Sequence, residues 1–214
     1  MIHIQTFIFG PFQENTYIIH DHSGVGAIFD PGCYEKSEQD QLLQYVEAQN
    51  IKIDKVINTH CHIDHVLGNE FVKKHFQAPL LIPALEDPVL KAVQVYAASY
   101  GFPQYQEAEV DEFLSEEDEL VIGETPWKIL FVPGHSPGHL AFYQEEAQVC
   151  LGGDVLFNGS IGRTDLPGGD YQTLIDSIHQ KIFALDDDVT VYSGHGPSTT
   201  VGHEKQTNPF CAIS

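Results

Sequence analysis

Thr59-His60-Cys61-His62-Ile63-Asp64-His65 is the stretch that decides the fold and the chemistry of this chain. It is rich in imidazole and carboxylate, the side chains that bind borderline divalent metals such as zinc, manganese and iron. His60 and His62 are two residues apart, so at the end of an extended strand their side chains point the same way, whereas Cys61 points away and packs. Asp64 and His65, the last two residues of the stretch, follow a turn, so their side chains can face a second point in space. The spacing therefore predicts a metal site.

The flanks of this stretch place it between a strand and a helix. Residues 53–57 alternate as a half-buried strand does, and residues 66–76 carry apolar side chains at helical spacing. A turn from strand to helix is where folds that mix the two elements place functional side chains.

The rest of the chain alternates between predicted strands and helices. Strands are predicted over residues 2–9, 16–19, 25–29, 79–82, 119–122, 128–132, 140–143, 149–151 and 189–192. Helices are predicted over residues 37–50, 87–100 and 170–185. Because the order strands, helix, strand, helix occurs in both halves, we expect an α+β fold with two sheets face to face and helices outside, forming one domain over residues 1–214.

Two segments of the chain show no clear periodicity of hydrophobic residues. The acidic loop after residue 103 either covers one side of a cleft or is a solvated insertion, and the role of residues 83–115 stays open. The tail after residue 197 is short and shows no hydrophobic repeat.

Composition narrows the class of protein. The formal charge of −21 disfavours nucleic acid and anionic membranes as partners. The chain has no apolar run of the ~18 residues that a membrane span needs and no signal-peptide pattern at its start. The scattered cysteines form no CxxC and are expected to be reduced thiols, which favours a cytoplasmic location. The expected partner is a small molecule, and the sequence leaves the oligomeric state open.

Three later strand ends add metal-ligand side chains: His135, Asp154 and His195, each flanked by glycine. With the four candidates of the first stretch, these are too many ligands for one tetrahedral ion. Two ions ~3.5–4 Å apart fit, with Asp154 between them. We expect zinc, with iron or manganese as alternatives. Around the ligands, Asp30 is expected to orient a histidine, unless it only starts the turn at Pro31-Gly32, and Thr59 is assigned to the same surrounding layer.

With these residues, the chain resembles the metallo-β-lactamase-fold superfamily. The matching pattern is His60-x-His62-x-Asp64-His65, then His135, Asp154 and His195, in that order over nearly the whole chain. The resemblance implies an αββα sandwich. It also implies the assignment of ligands: His60, His62 and His135 on one ion, Asp64, His65 and His195 on the other, and Asp154 bridging.

Within the superfamily the chain looks most like the glyoxalase II group, the hydroxyacylglutathione hydrolases. The residues that carry this likeness are Thr59, the stretches 133–139 and 159–170, and the tail Glu204 to Phe210. Longer members carry a C-terminal helical domain that helps to hold glutathione, so the chain is expected to be of the short, single-domain type. β-Lactamases usually lack the bridging aspartate, so Asp154 counts against that activity.

The expected function is a metal-dependent hydrolase that cleaves thioesters such as S-lactoylglutathione. A metal lowers the pKa of bound water from 15.7 to about 7, so a bridging hydroxide can attack without a Ser-His-Asp or Cys-His arrangement. Asp154 and Asp64 are the expected catalytic carboxylates, the latter orienting the hydroxide. The only arginine, Arg163, either grips a substrate carboxylate or, as we favour, pairs with Asp165 or Asp170.

Three alternative functions stay open. The first is a persulfide dioxygenase with a single iron, an activity that the superfamily also contains. The second is a lactonase that uses the same two ions, and the third is a non-catalytic metal-binding protein. The sequence does not name the acyl group or the thiol of a substrate.

Overall fold

The computed structural model describes residues 1–213, and these divide into two compact units. One comprises Met1–Leu114 with Val121–Thr125, and the other comprises Ser115–Leu120 with the described residues 126–213. The prediction of one domain over residues 1–214 extends to Ser214, which lies outside the described residues, and it stays a prediction.

The first unit is built on a mixed sheet. Its strands are β1 (Ile2–Phe9), β2 (Glu14–Asp21), β3 (Val25–Phe29), β4 (Lys52–Ile57), β5 (Leu80–Pro83) and β6 (Glu112–Leu114). They are hydrogen-bonded in chain order. The first three pair antiparallel, and β3 to β6 pair parallel. Parallel pairing requires crossovers, and helices supply most of them.

Helices connect the parallel strands of the first unit. They are α1 (Lys36–Gln49), α2 (Ile63–Val66), α3 (Asn69–Phe76) and α4 (Asp87–Tyr96), with a short 3-10 helix over Ala97–Tyr100. Their apolar faces join strand side chains such as Ile18 and Val56 in one core, and Cys61 packs into it as predicted. The carboxyl end of β4 therefore emerges from a packed layer directly before the histidine stretch.

The strand predicted over residues 53–57 ends where expected, but the histidines do not lie at its end and the following helix begins earlier than predicted. Strand β4 ends at Ile57, so His60 and His62 lie in the loop that follows and not on the strand. The helix predicted from residue 66 begins at Ile63 and is interrupted before Asn69. The break occurs where Gly68 donates its N–H to Pro31 O at 2.7 Å, and a Cβ on Gly68 would lie 2.6 Å from Cys33 Sγ.

The acidic loop is not a plain solvated insertion, because two of its residues are buried. Tyr105 and Ala108 are buried in the core of the first unit, and β6 closes the sheet after them. Of the helix predicted over residues 87–100, the part up to Tyr96 is α-helical, and Ala97–Tyr100 form the 3-10 helix.

The second sheet and its helices follow along the chain. Its strands are β7 (Leu120–Ile122), β8 (Thr125–Phe131), β9 (Leu140–Gln144), β10 (Val149–Gly153), β13 (Thr190–Ser193) and β14 (Thr199–Thr200). A separate hairpin is formed by β11 (Leu156–Phe157) and β12 (Ser160–Ile161). The sheet order is β14-β13-β10-β9-β8-β7, and β10 and β13, whose ends carry candidate ligands, are parallel neighbours.

The C-terminal region differs from its prediction in one helix and contains regular structure that was not predicted. The helix predicted over residues 170–185 is α5 (Tyr171–Ser177), capped by Asp170, followed by a π-helical turn over Ile178–Ile182. The tail, whose sequence shows no hydrophobic repeat, forms β14 and the helix α6 (Val201–Thr207). Across residues 1–213, no helix combines the length and the apolar composition required to cross a membrane.

Candidate metal centre

The histidine stretch of the first unit gathers three imidazole rings. The ring of His60 lies 4.8 Å from that of His62 and 4.1 Å from that of His65, measured between centroids. The loop that carries them is fixed from two sides. Asn58 Nδ2 donates to the His65 carbonyl at 2.9 Å, and the Cys61 backbone N–H donates to Glu86 at 2.9 Å. The side chain of Asp64 is 15% exposed, whereas His60 and His65 are fully buried, so Asp64 is the group of this stretch that water reaches most easily.

Asp30 is placed where it can orient these rings. It accepts the backbone N–H and the hydroxyl of Thr59, both at 2.7 Å, and its Oδ2 lies 3.2 Å from His65 Nδ1. Asp30 has a left-handed backbone (φ 47°), a conformation that aspartate tolerates better than most residues. Ligand atoms of Asp30, His60 and His65 all lie within 4.8 Å of one another. Since Thr59 already uses both oxygens of Asp30, the geometry suits an orienting carboxylate better than a ligand.

The same hydrogen bonds determine which ring nitrogens of His60 and His65 are acceptors. The Thr59 hydroxyl has one proton and donates it to Asp30, so His60 Nδ1, 3.0 Å from that hydroxyl, must donate to it. His65 Nδ1 lies 3.2 Å from Asp30 Oδ2, and the negative charge of that carboxylate favours the tautomer with its proton on Nδ1. In both rings the Nε2 atom then holds the lone pair, as a metal ligand requires.

Two buried carboxyls near this group were not found from the sequence. Glu14 and Glu86 are about as buried as any core residue, at 1% and 0% exposed. Burial raises the pKa of the Glu14 carboxyl well above its usual range, and the facing His65 ring opposes part of that rise. A glutamate in sequence looks like a surface residue, and no local pattern around these two signals burial. Burial also raises the pKa of the Cys61 thiol, which disfavours a thiolate ligand.

The second unit gathers its candidates around a single oxygen. His135 follows β8, Asp154 follows β10 and His195 follows β13. Oδ2 of Asp154 lies 3.5 Å from Nε2 of His135 and 3.5 Å from Nε2 of His195.

That separation fits ligands of metal ions better than hydrogen bonds. A hydrogen bond between imidazole and carboxylate would bring the two atoms to about 2.7–3.2 Å. Two ligands at about 2.1 Å from one tetrahedral ion lie about 3.4 Å apart. Because both histidines stand at this distance from the same oxygen, Asp154 is placed as a bridging ligand would be.

Backbone groups orient the ligands of the second unit. His135 Nδ1 donates to the Arg163 carbonyl at 2.7 Å, which leaves the lone pair on Nε2. Gly162 lies so close that a Cβ on it would be 1.9 Å from the Asp154 carbonyl oxygen. His139, fully buried, accepts the Asp154 backbone N–H at 3.1 Å through Nε2.

The Arg163 side chain points to another partner. Its Nε and Nη2 donate to the two carboxylate oxygens of Asp165 at 2.7 and 2.8 Å, and the pair is largely exposed. The hydrogen bond from Arg163 lowers the pKa of Asp165 to about 2. The pairing that the sequence favoured is therefore present.

The stretch around His135 also matches the Gly-x-Ser-x-Gly spacing of serine hydrolases, with Ser136 at its centre. Ser136 is fully buried, and the stretch leads into strand β9 instead of a helix. Ser136 therefore does not lie on the exposed strand-to-helix turn where serine hydrolases with this motif carry their nucleophile.

Comparison of the sequence with known proteins identifies the family of this chain. The family model described as the metallo-beta-lactamase superfamily matches residues 9–195. The protein named hydroxyacylglutathione hydrolase GloC, from Haemophilus influenzae, is 38% identical over 201 residues, which cover 93% of each chain.

Two solved structures are also similar. The crystal structure of the BLEG-1 B3 metallo-beta-lactamase superposes with a TM-score of 0.86 at 34% identity, covering 99% of this chain and 100% of that one. The protein TTHA1623, crystallised in a di-iron-bound form, gives 0.85 at 34% identity, covering 96% and 99%.

These comparisons confirm the predicted fold class, a mixed α+β metallo-β-lactamase fold with two sheets. The fold implies that the protein binds divalent metal, and the His and Asp groups of each unit are chemically suited to it. The chain belongs to the metallo-beta-lactamase superfamily and is a metallo-hydrolase of that family.

Proposed function

We propose that this protein is a hydrolase that uses two divalent ions to cleave small thioesters, as the hydroxyacylglutathione hydrolases do. The observation that carries the proposal is the single oxygen of Asp154 set 3.5 Å from the Nε2 atoms of two histidines. The relative named as a hydroxyacylglutathione hydrolase, 38% identical over nearly its whole length, supports the choice of substrate.

The proposed ligands are those that the resemblance to the family implies. His60, His62 and His135 would hold one ion, Asp64, His65 and His195 would hold the other, and Asp154 would be shared between them. Zinc is the first choice for this mixture of imidazole and carboxylate. Iron and manganese are the alternatives, and the relative crystallised with two irons supports iron as a native metal.

The protein side chains have distinct tasks in this proposal. The ions, when bound, supply a water of lowered pKa and polarise the carbonyl of the thioester. Asp64, the partly exposed carboxylate, accepts a hydrogen bond from the attacking water and aims it. Asp30 and Thr59 keep His60 and His65 in the tautomer that presents Nε2.

The charge of the chain bears on the substrate. A net charge of −21 repels anions, yet thioesters of glutathione carry carboxylates. The cations near the substrate must then offset this repulsion. The bound ions and Arg163, whose fork already holds Asp165, are the groups that can do so.

β-Lactam hydrolysis is the second candidate. It is favoured by one observation, the 34% identity to a protein described as a B3 metallo-beta-lactamase. Asp154 argues against it, because β-lactamases of this superfamily usually carry another residue at the bridging position.

The test is a comparison of substrates on protein loaded separately with zinc and with iron. We expect kcat/KM to be highest for S-lactoylglutathione, lower for a neutral thioester and lowest for a β-lactam and a lactone. A β-lactam turned over faster than any thioester would replace the proposal with the second candidate. Consumption of oxygen with a glutathione persulfide by the iron form would show the dioxygenase instead.

A further inference from the structure

The C-terminal helix α6 contains a buried carboxylate that the proposed chemistry does not use. Glu204 is 0% exposed although it lies near the end of the chain. It accepts hydrogen bonds from the Thr199 hydroxyl, from Asn208 Nδ2 at 2.7 Å and from the Gly159 backbone N–H at 3.1 Å. A buried carboxylate that accepts this many hydrogen bonds holds its donors in place.

Two of these contacts lead to the β11–β12 hairpin, residues 156–161. Glu204 binds the turn of the hairpin at Gly159. Asn208, 1% exposed, donates through Nδ2 to the Ser160 carbonyl at 3.0 Å as well as to Glu204. The hairpin is therefore attached to the C-terminal segment at its turn and along its returning strand.

The β11–β12 hairpin and the two residues that follow it together contact every candidate ligand of the second unit. Phe157 places its ring edge to face with His195, with centroids 6.1 Å apart. Directly after β12, Gly162 packs on the Asp154 backbone, and the Arg163 carbonyl accepts the His135 Nδ1 proton at 2.7 Å.

We propose that Glu204 and Asn208 are positioning residues that hold the β11–β12 hairpin against His135, Asp154 and His195 and so set the metal affinity of this group. The inference rests on the proposed metal site and not on the proposed substrate. Displacing the hairpin withdraws the acceptor that fixes the His135 tautomer and loosens the packing behind His195 and Asp154. Groups that orient metal ligands in this way contribute about 10–100-fold to metal affinity.

Four variants of the full chain test the proposal, each stripped of metal and titrated with zinc against a chelator. Asn208→Ala removes the two side-chain donors, and Glu204→Leu removes the acceptors; we expect each to weaken zinc binding by about 10-fold or more. Glu204→Gln keeps an oxygen for Gly159 and Asn208 and offers its amide to the Thr199 hydroxyl. We expect this variant to bind zinc within about threefold of the parent protein.

Lys205→Ala is the matched control, because it lies on the same helix but contacts the Leu185 carbonyl and Asp187 instead of the hairpin. It should lower the melting temperature of the metal-free protein without a matching loss of zinc affinity. If Glu204→Leu does not fold, Asn208→Ala with Glu204→Gln decides the question.

Two results would overturn the inference. One is zinc affinity in Asn208→Ala equal to that of the parent protein, and the other is a loss in Lys205→Ala as large as in Asn208→Ala. Both results are measurements of zinc affinity and do not depend on whether the protein hydrolyses a substrate. Zinc bound by the parent protein without thioester hydrolysis would reject the proposed function and leave this inference in place.

Discussion

The two ligand groups are held in different ways. In the first unit the histidines come from one short stretch, and side-chain carboxylates hold them: Asp30 at His65, and Glu86 at the backbone between His60 and His62. In the second unit His135, Asp154 and His195 come from three separate strand ends, and backbone groups hold two of them: the Arg163 carbonyl at His135 and the close approach of Gly162 at Asp154. A side chain also takes part there, since His139 accepts the Asp154 N–H.

From this difference we expect the two ligand groups to be sensitive to different kinds of substitution. A side-chain carboxylate can be replaced by a neutral isostere with little change in shape, so the first group should respond to changes of charge. A backbone contact has no side chain to remove, so the second group should respond to added volume and to whatever holds the backbone in place.

The largest effect is expected from Asp154→Ala, which removes the oxygen shared by two histidines. Thioester hydrolysis should fall by at least about 1,000-fold, more than the loss of an orienting group causes. Elemental analysis should show metal lost from both proposed positions. Full activity with unchanged metal content would show that Asp154 does not bridge.

Gly162→Ala tests the backbone contacts of the second group. Its Cβ would lie 1.9 Å from the Asp154 carbonyl oxygen and 3.1 Å from His135 Nδ1, so the backbone must move. We expect the free energy of unfolding to fall by about 1–3 kcal/mol, measured with denaturant, together with weaker zinc binding.

The matched control for Gly162→Ala is Gly159→Asn. Gly159 has open space around its Cβ position and a left-handed φ of 69°, which asparagine tolerates. It should change stability and zinc affinity little. Equal losses in the two variants would mean that this part of the chain responds to any substitution.

Asp30→Asn tests the carboxylate of the first group with almost no change in shape, and asparagine also accepts the left-handed backbone at this position. The amide cannot accept from Thr59 N, Thr59 Oγ1 and His65 Nδ1 in the same manner. We expect metal affinity to fall about 10–100-fold with a smaller loss of stability. Asp40→Asn, on the exposed side of α1 where Asp40 pairs with Lys36, is the control and should leave the affinity unchanged. Unchanged metal affinity in Asp30→Asn would show that Asp30 only shapes the turn.

The smallest effect is expected from Arg163→Lys. The Arg163 group that contacts His135 is its backbone carbonyl, which the substitution keeps, and the side chain is exposed on Asp165. Metal affinity should stay within about twofold, because exposed ion pairs contribute little. If Arg163 also grips substrate, KM should rise for a charged thioester and not for a neutral one. A large loss of bound metal would show that the side chain of Arg163, and not only its backbone carbonyl, supports the metal site.

Much of this arrangement follows from local sequence, and the parts that do not have physical reasons. Strands β1 and β3 were predicted with their observed bounds because β-branched and aromatic runs end at glycine, proline or aspartate. The break before α3 was missed, because only the folded chain shows that Gly68 touches Pro31 and Cys33.

The predicted site residues within each unit come together, because residues of ligand type at strand ends meet at one edge of a sheet. What sequence could not provide was the set of groups that hold them. Helix α6 lacks an apolar repeat, because the residues that it buries are Val201, Gly202 and the charged Glu204. Glu14 and Glu86 resemble surface acids until the fold buries them.

The central proposal is that the two ligand groups together would hold two divalent ions. The most direct measurement is the metal content per chain of protein purified without added metal, determined by elemental analysis. The account predicts a value approaching two per chain. A value of one, with iron as the only metal, would contradict it and favour an oxygenase that uses a single ion.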